Sequence, residues 1–227
     1  MFDMDGVLVE VTESYRETIR QTVEYFTRTT VTYDDIQAYK NAGGWNNDWK
    51  LSHKMAADLG VDVDYSDIVD YFQKLFLGES GTGDGLIQRE RWIARPGLLE
   101  NLSARFDLGV FTGRPKDEAM ITISRFAGEI SFHPLLTDDD VVHGKPHPEG
   151  LHIAKSLKPG CGMWYVGDTV DDARCARAAG VPFIGVASES HSRREQLLEL
   201  FAAEQAVTVL EDINQLESFF ANRQAGT

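Results

Sequence analysis

Phe2-Asp3-Met4-Asp5-Gly6-Val7 stands at the start of the chain. Side chains on a β-strand alternate between two faces. Asp3 and Asp5 would therefore point to one side and Phe2 and Met4 to the other, while Gly6 frees the backbone to turn. An Asp-x-Asp-Gly turn after an apolar strand suits metal-dependent phosphoryl transfer, because one carboxylate can attack while its neighbour handles protons. An acidic strand end is common by itself, so the pattern downstream has to decide the reading.

From Val11 to about Gly85 the periodicity is helical. Tyr15, Ile19, Val23 and Phe26 recur at spacings of four, four and three, and Thr32-x-x-Asp35 is a helix-start signal before Ile36. Leu51, Met55 and Leu59 form a second stripe closed by Gly60; Ile68, Phe72, Leu75 and Phe76 form a third closed by Gly78. After Pro96 the texture alternates. A helix near Leu98 to Arg105 precedes a strand Leu108 to Thr112, and a helix follows Pro115. Further strands read as Met163 to Gly167, Pro182 to Val186 and Ala206 to Leu210, with helices between. Alternation of this kind implies parallel pairing with right-handed crossovers, so the expected fold is α/β with a doubly wound, parallel, Rossmann-like sheet. The helical block then becomes an inserted all-helical cap domain, residues 11–94, in a core made of residues 1–10 and 95–227. In such sheets ligands sit beyond the carboxyl ends of the strands at the switch in strand order. Asp3, Asp5, Thr112 and Asp168 all fall at strand ends and would face one crevice.

The chain has 227 residues, 42% of them hydrophobic, enough for a full core in one domain with an insert. Its formal charge of −14 argues against a nucleic acid or an anionic membrane as partner and favours a small ligand. Cys161 and Cys175 are its only thiols, and no secretion signal or membrane-length apolar run is visible, which reads as a cytoplasmic protein with reduced cysteines. Cys175 lies in an alanine-rich helix and suits core packing; Cys161, in a Gly-Cys-Gly loop, has no base nearby to activate it. The six histidines show no metal-ligand spacing, and His147 reads as incidental. Asp138, Asp139 and Asp140 diverge as consecutive side chains and suit a solvated loop, and Asp171 suits a solvated or helix-start position. Gly78 to Gly85 lacks the Gly-Lys-Ser/Thr ending of a phosphate loop and follows a helix, so it reads as a flexible link. Gln224 to Thr227 reads as a frayed terminus.

Four stretches, in order, resemble the motifs of the haloacid dehalogenase superfamily over nearly the whole chain: Asp3-Met4-Asp5-Gly6-Val7; Thr112 in Val110-Phe111-Thr112-Gly113-Arg114; Lys145 in Gly144-Lys145-Pro146-His147-Pro148; and Gly167-Asp168-Thr169-Val170-Asp171-Asp172. Helices inserted directly after the first motif resemble the cap of subclass I members, as in phosphoglycolate phosphatase-like and beta-phosphoglucomutase-like proteins. The residue types also make sense chemically. A carboxylate is ionised at neutral pH, so Asp3 can attack phosphorus without a base and form an aspartyl-phosphate, with Asp5 as general acid and base. The meeting of two anions calls for a hard cation. Mg2+ held by Asp3, the Asp5 backbone carbonyl and Asp168 fits that need. Lys145 adds a second positive centre, Thr112 and the amides of Gly113 and Arg114 would bind phosphoryl oxygens, and Asp172 would orient Lys145 or a metal-bound water.

An Asp two places after the nucleophile points, within this family, to phosphatases and phosphomutases rather than dehalogenases. The resemblance also implies a mobile lid whose loop lowers over the leaving group. Its counterpart here is Asn41 to Lys50. In that loop Gly44 gives backbone freedom, Trp45 an apolar wall, and Asn46 and Asn47 hydrogen-bond donors; Trp49 suits the helical core instead. Tyr15 and Arg16 are weaker candidates. The expected function is a Mg2+-dependent phosphatase of a small polar phosphomonoester. The alternatives are a phosphomutase, a phosphoaccepting regulator like response-regulator receivers, which the helical block disfavours, and a silent binding protein. Only Met1 and Phe2 precede the first motif, fewer apolar residues than relatives carry, which suggests a natural start upstream or a shortened chain.

Overall fold

The chain leaves its α/β region through β1 (Val9–Glu10) and returns through β2 (Arg91–Trp92), and these two short strands pair with each other. The computed structural model describes residues 1–79, 81 and 83–225. It divides into two compact units, one of residues 10–91 and one of residues 1–9 with the chain from Trp92 onward.

Residues 10–91 are helical. A single π-helical turn, Thr12–Arg16, runs into α1 (Glu17–Thr27), followed by α2 (Tyr33–Ala42), α3 (Asp48–Asp58) and α4 (Tyr65–Leu77). The Thr32 signal is a reciprocal capping box: the Thr32 hydroxyl accepts the Asp35 N–H at 3.1 Å and the Asp35 carboxylate accepts the Thr32 N–H at 2.8 Å. Tyr15, Ile19, Val23, Ile36, Leu51, Met55, Ile68, Phe72 and Phe76 are buried, so the expected stripes are the helical core. Phe26 and Leu75 are half-buried, and Leu59 falls outside: α3 ends before it, and it is 43% exposed. Within Gly78 to Gly85, read as a flexible link, Ser80 and Thr82 lie outside the described residues. Of the others, the Gly83 N–H donates to the Leu77 carbonyl at 2.9 Å, and the Gln88 side chain donates to the Gly83 carbonyl.

In the second unit a parallel sheet is flanked by α5 (Leu98–Ser103), α6 (Lys116–Phe126), α7 (Glu149–Leu157), α8 (Val170–Ala179), α9 (Arg194–Ala203) and α10 (Leu216–Ala225). Its strands are β3 (Val110–Phe111), β4 (Leu135–Leu136), β5 (Tyr165–Gly167), β6 (Phe183–Val186) and β7 (Thr208–Leu210), with β3 paired to β4, β5 to β6 and β6 to β7. Phe2 joins the two halves, bridging Val110 on one side and Val166 on the other in parallel sense. Spatial order is thus β4, β3, the Phe2 segment, β5, β6, β7. Starting from Phe2 the chain builds outward through β3 and β4, then crosses back to build through β5, β6 and β7. The order switches between Phe2 and β5.

The first segment is much shorter than a usual strand. The Phe2 N–H donates to Gly109 O and the Asp3 N–H to Val166 O, both at 2.8 Å, and after Asp3 the backbone turns back on itself, with Leu8 N–H and Val9 N–H both on Met4 O. Asp5 therefore sits in a turn and not on a continuing strand. Phe111, Tyr165, Phe183 and Phe201 anchor the core beneath the switch. Cys175 is buried among them and Cys161 is exposed. Of Gln224 to Thr227, read as frayed, Gly226 and Thr227 lie outside the described residues, and α10 continues to Ala225. No helix among the described residues is long and apolar enough to cross a membrane.

Candidate active site

Asp3 is the last residue of the central segment bonded into the sheet, and Asp168 directly follows β5, so the switch in strand order sets the two side by side. Gly6 makes that approach possible. Its φ is +72°, and a Cβ there would lie 1.9 Å from Asp168 Oδ2, so any other residue would be strained and would collide with the carboxylate. Gly167 plays the same part for Asp172, whose Cβ would lie 2.4 Å from a side chain at that position. Asp172 reaches back because Thr169 and Asp172 form a capping box that starts α8.

Carboxylate oxygens of Asp3, Asp168 and Asp172 lie within 4.8 Å of one another. Lys145, on the loop before α7, places its ammonium 2.6 Å from Asp3 Oδ1 and 2.8 Å from Asp172 Oδ1. It also lies 5.2 Å from the Phe111 ring centre and 5.6 Å from that of Tyr165. Asp172 is fully engaged: the Tyr165 hydroxyl donates to its Oδ1 at 2.7 Å, and the Thr169 hydroxyl and N–H donate to Oδ2 at 2.6 and 3.1 Å. Burial opposes its ionisation, but Lys145, Thr169 and Tyr165 outweigh that and hold its carboxyl below the usual range. Burial would likewise discharge Lys145; the carboxylates of Asp172 and Asp3 reverse this and keep it cationic.

Asp3 is in the opposite position. Burial first, then the charges of Asp172, Asp168 and Asp5, push its carboxyl well above the ordinary aspartate range, and Lys145 offsets only part of this. Asp168 and Asp172 thus crowd Asp3 with two more carboxyl groups beside the Lys145 ammonium. The pocket's donors near Asp3 and Asp168 are all oxygen, the set preferred by a hard divalent cation. These residues fit such an ion, and one bound there would return Asp3 to its charged form.

Asp5 has a different partner. The Arg114 Nε donates to Asp5 Oδ1 at 2.9 Å, Arg114 Nη2 reaches the same oxygen, and Arg114 Nη1 donates to the Thr122 hydroxyl at 2.8 Å. The Arg114 side chain is buried, 2% exposed, with its guanidinium turned toward Asp5. Thr112 is buried at the end of β3, where its hydroxyl accepts the Arg114 N–H at 3.2 Å; Gly113 lies in the turn between them. Asp171, read as solvated or at a helix start, takes the second place: it lies buried in the first turn of α8, 3.8 Å from Arg174. Asp138, Asp139 and Asp140 form a 3-10 turn in which Asp140 caps Thr137 and Asp139 Oδ2 accepts the Lys116 N–H. The sequence reading missed Tyr165 and Thr122, which hold Asp172 and Arg114; a hydroxyl on an apolar strand or amphipathic helix gave no signal of either.

In the helical unit, Gly44, Trp45, Asn46 and Asn47 lie between α2 and α3. Gly44 has a φ of +82°, Trp45 packs edge-on to Tyr39, and Asn47 Oδ1 accepts the Lys50 N–H at 3.0 Å, which starts α3.

This chain is similar to the imidazoleglycerol-phosphate dehydratase of Phytophthora nicotianae, 36% identical over 195 residues, which cover 82% of this chain and 42% of that protein. The chain thus spans less than half of that relative. It is 30% identical over 159 residues to the validoxylamine A 7'-phosphate phosphatase of Streptomyces hygroscopicus subsp. limoneus, covering 69% of this chain and 68% of that one. Among solved structures, phosphatase Tt82 from Thermococcus thioreducens matches with a TM-score of 0.63 and 28% identity, covering 90% of this chain and 98% of that chain. The model of the haloacid dehalogenase-like hydrolases matches residues 1–180, a span that includes every carboxylate of the cluster, the lysine between them and the switch in strand order that gathers them. By that match and by its architecture, the chain belongs to the haloacid dehalogenase-like hydrolase family.

Proposed function

We propose that the chain is a Mg2+-dependent phosphatase of a small polar phosphomonoester, working through an aspartyl-phosphate on Asp3. One observation carries this reading: a buried carboxylate, Asp3, lies 2.6 Å from a buried ammonium, Lys145, in a cluster that continues through Asp168 and Asp172. Asp3, the Asp5 backbone carbonyl and Asp168 would hold the Mg2+, whose charge lets an anionic nucleophile meet an anionic phosphate. Asp3 attacks phosphorus and the ester P–O bond breaks, while Asp5 gives its proton to the leaving oxygen. Asp5 then takes a proton from water, whose oxygen attacks the same phosphorus and frees Asp3 and phosphate. Lys145, Thr112 and the Gly113 amide stabilise the phosphoryl oxygens. Residues 11–94 would act as the cap, with Gly44, Trp45, Asn46 and Asn47 at the leaving group.

The test is phosphate release from p-nitrophenyl phosphate with and without Mg2+. Asp3→Asn should lower the Mg2+-dependent rate by roughly 10³-fold or more, because removing a covalent nucleophile forfeits the whole pathway. Activity surviving that substitution removes Asp3 from the role. Transfer of the phosphoryl group from a sugar bisphosphate to a sugar, in place of water, would move the assignment to a phosphomutase.

A further inference from the structure

Although the histidines offered no ligand pattern as a set and His147 read as incidental, His143 and His147 stand four residues apart with Glu149 beside them on the segment that carries Lys145, His143-Gly144-Lys145-Pro146-His147-Pro148-Glu149, and fold into a second group of metal-ligating side chains. Glu149 begins α7, and its carboxylate is fixed by backbone donors, Val142 N–H on Oε1 at 2.9 Å and His143 N–H on Oε2 at 3.0 Å. Against Oε2 lie two imidazole nitrogens, His143 Nδ1 at 3.0 Å and His147 Nδ1 at 3.8 Å, with ring centres 4.6 Å apart. The two nitrogens and the carboxylate oxygen all fall within 4.8 Å of one another.

Hydrogen bonding explains only part of this convergence. Oε2 already receives the His143 N–H and faces His143 Nδ1, which matches its two lone pairs, and 3.8 Å is beyond hydrogen-bond length for His147. A tetrahedral ion with bonds of about 2.0–2.1 Å sets its ligands roughly 3.3–3.4 Å apart. The two nitrogen–oxygen separations of 3.0 and 3.8 Å bracket that spacing and the two nitrogens lie within 4.8 Å of each other, so an ion would enter by drawing the exposed imidazoles together. The backbone is also held. Pro146 and Pro148 flank His147 and restrict its torsions, and the Cys175 thiol reaches the His147 carbonyl at 3.3 Å. The His143 and His147 side chains are 63% and 52% exposed, which leaves an entry path and an open fourth position for water.

We propose that His143, His147 and Glu149 form a second cation site, selective for a borderline transition ion of the Zn2+ class and chemically distinct from the all-oxygen cluster at Asp3 and Asp168. Each imidazole coordinates through the Nδ1 lone pair. A ring that carries its hydrogen on Nδ1 releases it to solvent and takes one on Nε2, so the neutral ring keeps its proton count. The bound ion closes a loop through residues 143–149 and ties down the segment bearing Lys145, which stands two residues from each histidine in sequence.

Zn2+ binding by equilibrium dialysis in excess Mg2+, with Co2+ absorption as a second probe of nitrogen ligands, tests the site on the intact chain. The wild type should bind one Zn2+. His143→Gln and His147→Gln should each weaken binding at least tenfold with unchanged circular dichroism, and Asp168→Asn should leave it unaltered. Zn2+ should also slow amide exchange across residues 143–149 in the wild type and not in the histidine variants. Binding that survives the double histidine variant, or that disappears with Asp168→Asn, overturns the site, and unchanged exchange in the wild type overturns the clamp. None of these readouts requires turnover, so they stand apart from the phosphatase reading.

Discussion

At the scale of single residues, the pocket gives its two leading aspartates different partners: Asp3 shares a lysine with Asp172, whereas Asp5 is gripped by Arg114. A guanidinium that places two of its nitrogens on one carboxylate oxygen and a third on Thr122 sets direction as well as charge, which a lysine at the same position cannot do. Arg114 is therefore a positioning residue for the proposed proton donor. Arg114→Lys should lower kcat/KM for an alkyl phosphate by about tenfold, part of the 10²–10⁴ supplied by general acid–base catalysis. For p-nitrophenyl phosphate, whose leaving group departs without a proton, the loss in kcat/KM should be far smaller, because that ratio ends at leaving-group departure and excludes the water attack that Asp5 serves for both esters. Parallel kcat/KM measurements on the two esters check this, and equal losses would mean that Arg114 serves only to hold the fold. Asp3, Lys145 and Asp168 were legible in the sequence because each stands at a strand end or in a distinctive local pattern. Tyr165 and Thr122 were not, since a hydroxyl acquires meaning only when a distant carboxylate or guanidinium folds onto it.

At the scale of elements, local chemistry predicts helices better than it predicts strands. The Thr32–Asp35 capping box and the stripes through Ile19 and Phe72 are complete within one turn or one face, and the structure has them. By contrast β4 is only Leu135–Leu136, too short to show a period, and the first strand shrinks to a bridge at Phe2 because the chain turns straight after Asp3. The helical unit also contains an ionic joint that composition could not reveal. Buried Glu17 on α1 accepts from Arg20 at 2.6 and 2.8 Å, from Gln21 at 2.6 Å and from the Tyr33 hydroxyl of α2 at 2.7 Å. Arg20 is the main cause, with Gln21 and Tyr33 adding to it against burial, and together they hold the Glu17 carboxyl down to about 2, from an ordinary value of 4.5. A carboxyl depressed on folding contributes stability that is complete above its unfolded value and is lost as pH falls toward the folded one. Glu17→Gln should thus cost roughly 1–2 kcal/mol near neutrality, after allowing for partial solvent screening. The gap in Tm between wild type and variant, followed by circular dichroism, should narrow as pH drops from about 4.5 toward 2. A gap that stays constant across that window would show that packing, not charge, holds the joint.

At the scale of the whole molecule, a formal charge of −14 and a buried cluster of carboxylates both respond to cations, but by different physics. Diffuse self-repulsion is relieved by any salt, with a screening length near 10 Å at 0.1 M, and it does not depend on which carboxylate is present. The carboxylates gathered around Asp3, which the Lys145 ammonium only partly offsets, lie out of reach of that screening, and an ion in the pocket would relieve them. An ion that binds only the folded state stabilises it by about 2.7 kcal/mol at one hundred times its dissociation constant. Mg2+ should therefore raise the wild-type Tm beyond the rise given by NaCl of equal ionic strength. In Asp168→Asn the NaCl rise should persist while the Mg2+ excess disappears, because the generic term is nearly unchanged by one surface-scale charge and the specific term has lost a ligand. Thermal melts of both proteins in the two salts separate these contributions, and a Mg2+ excess that survives in Asp168→Asn would place the cation elsewhere and leave the raised carboxyl of Asp3 without its proposed counter-ion.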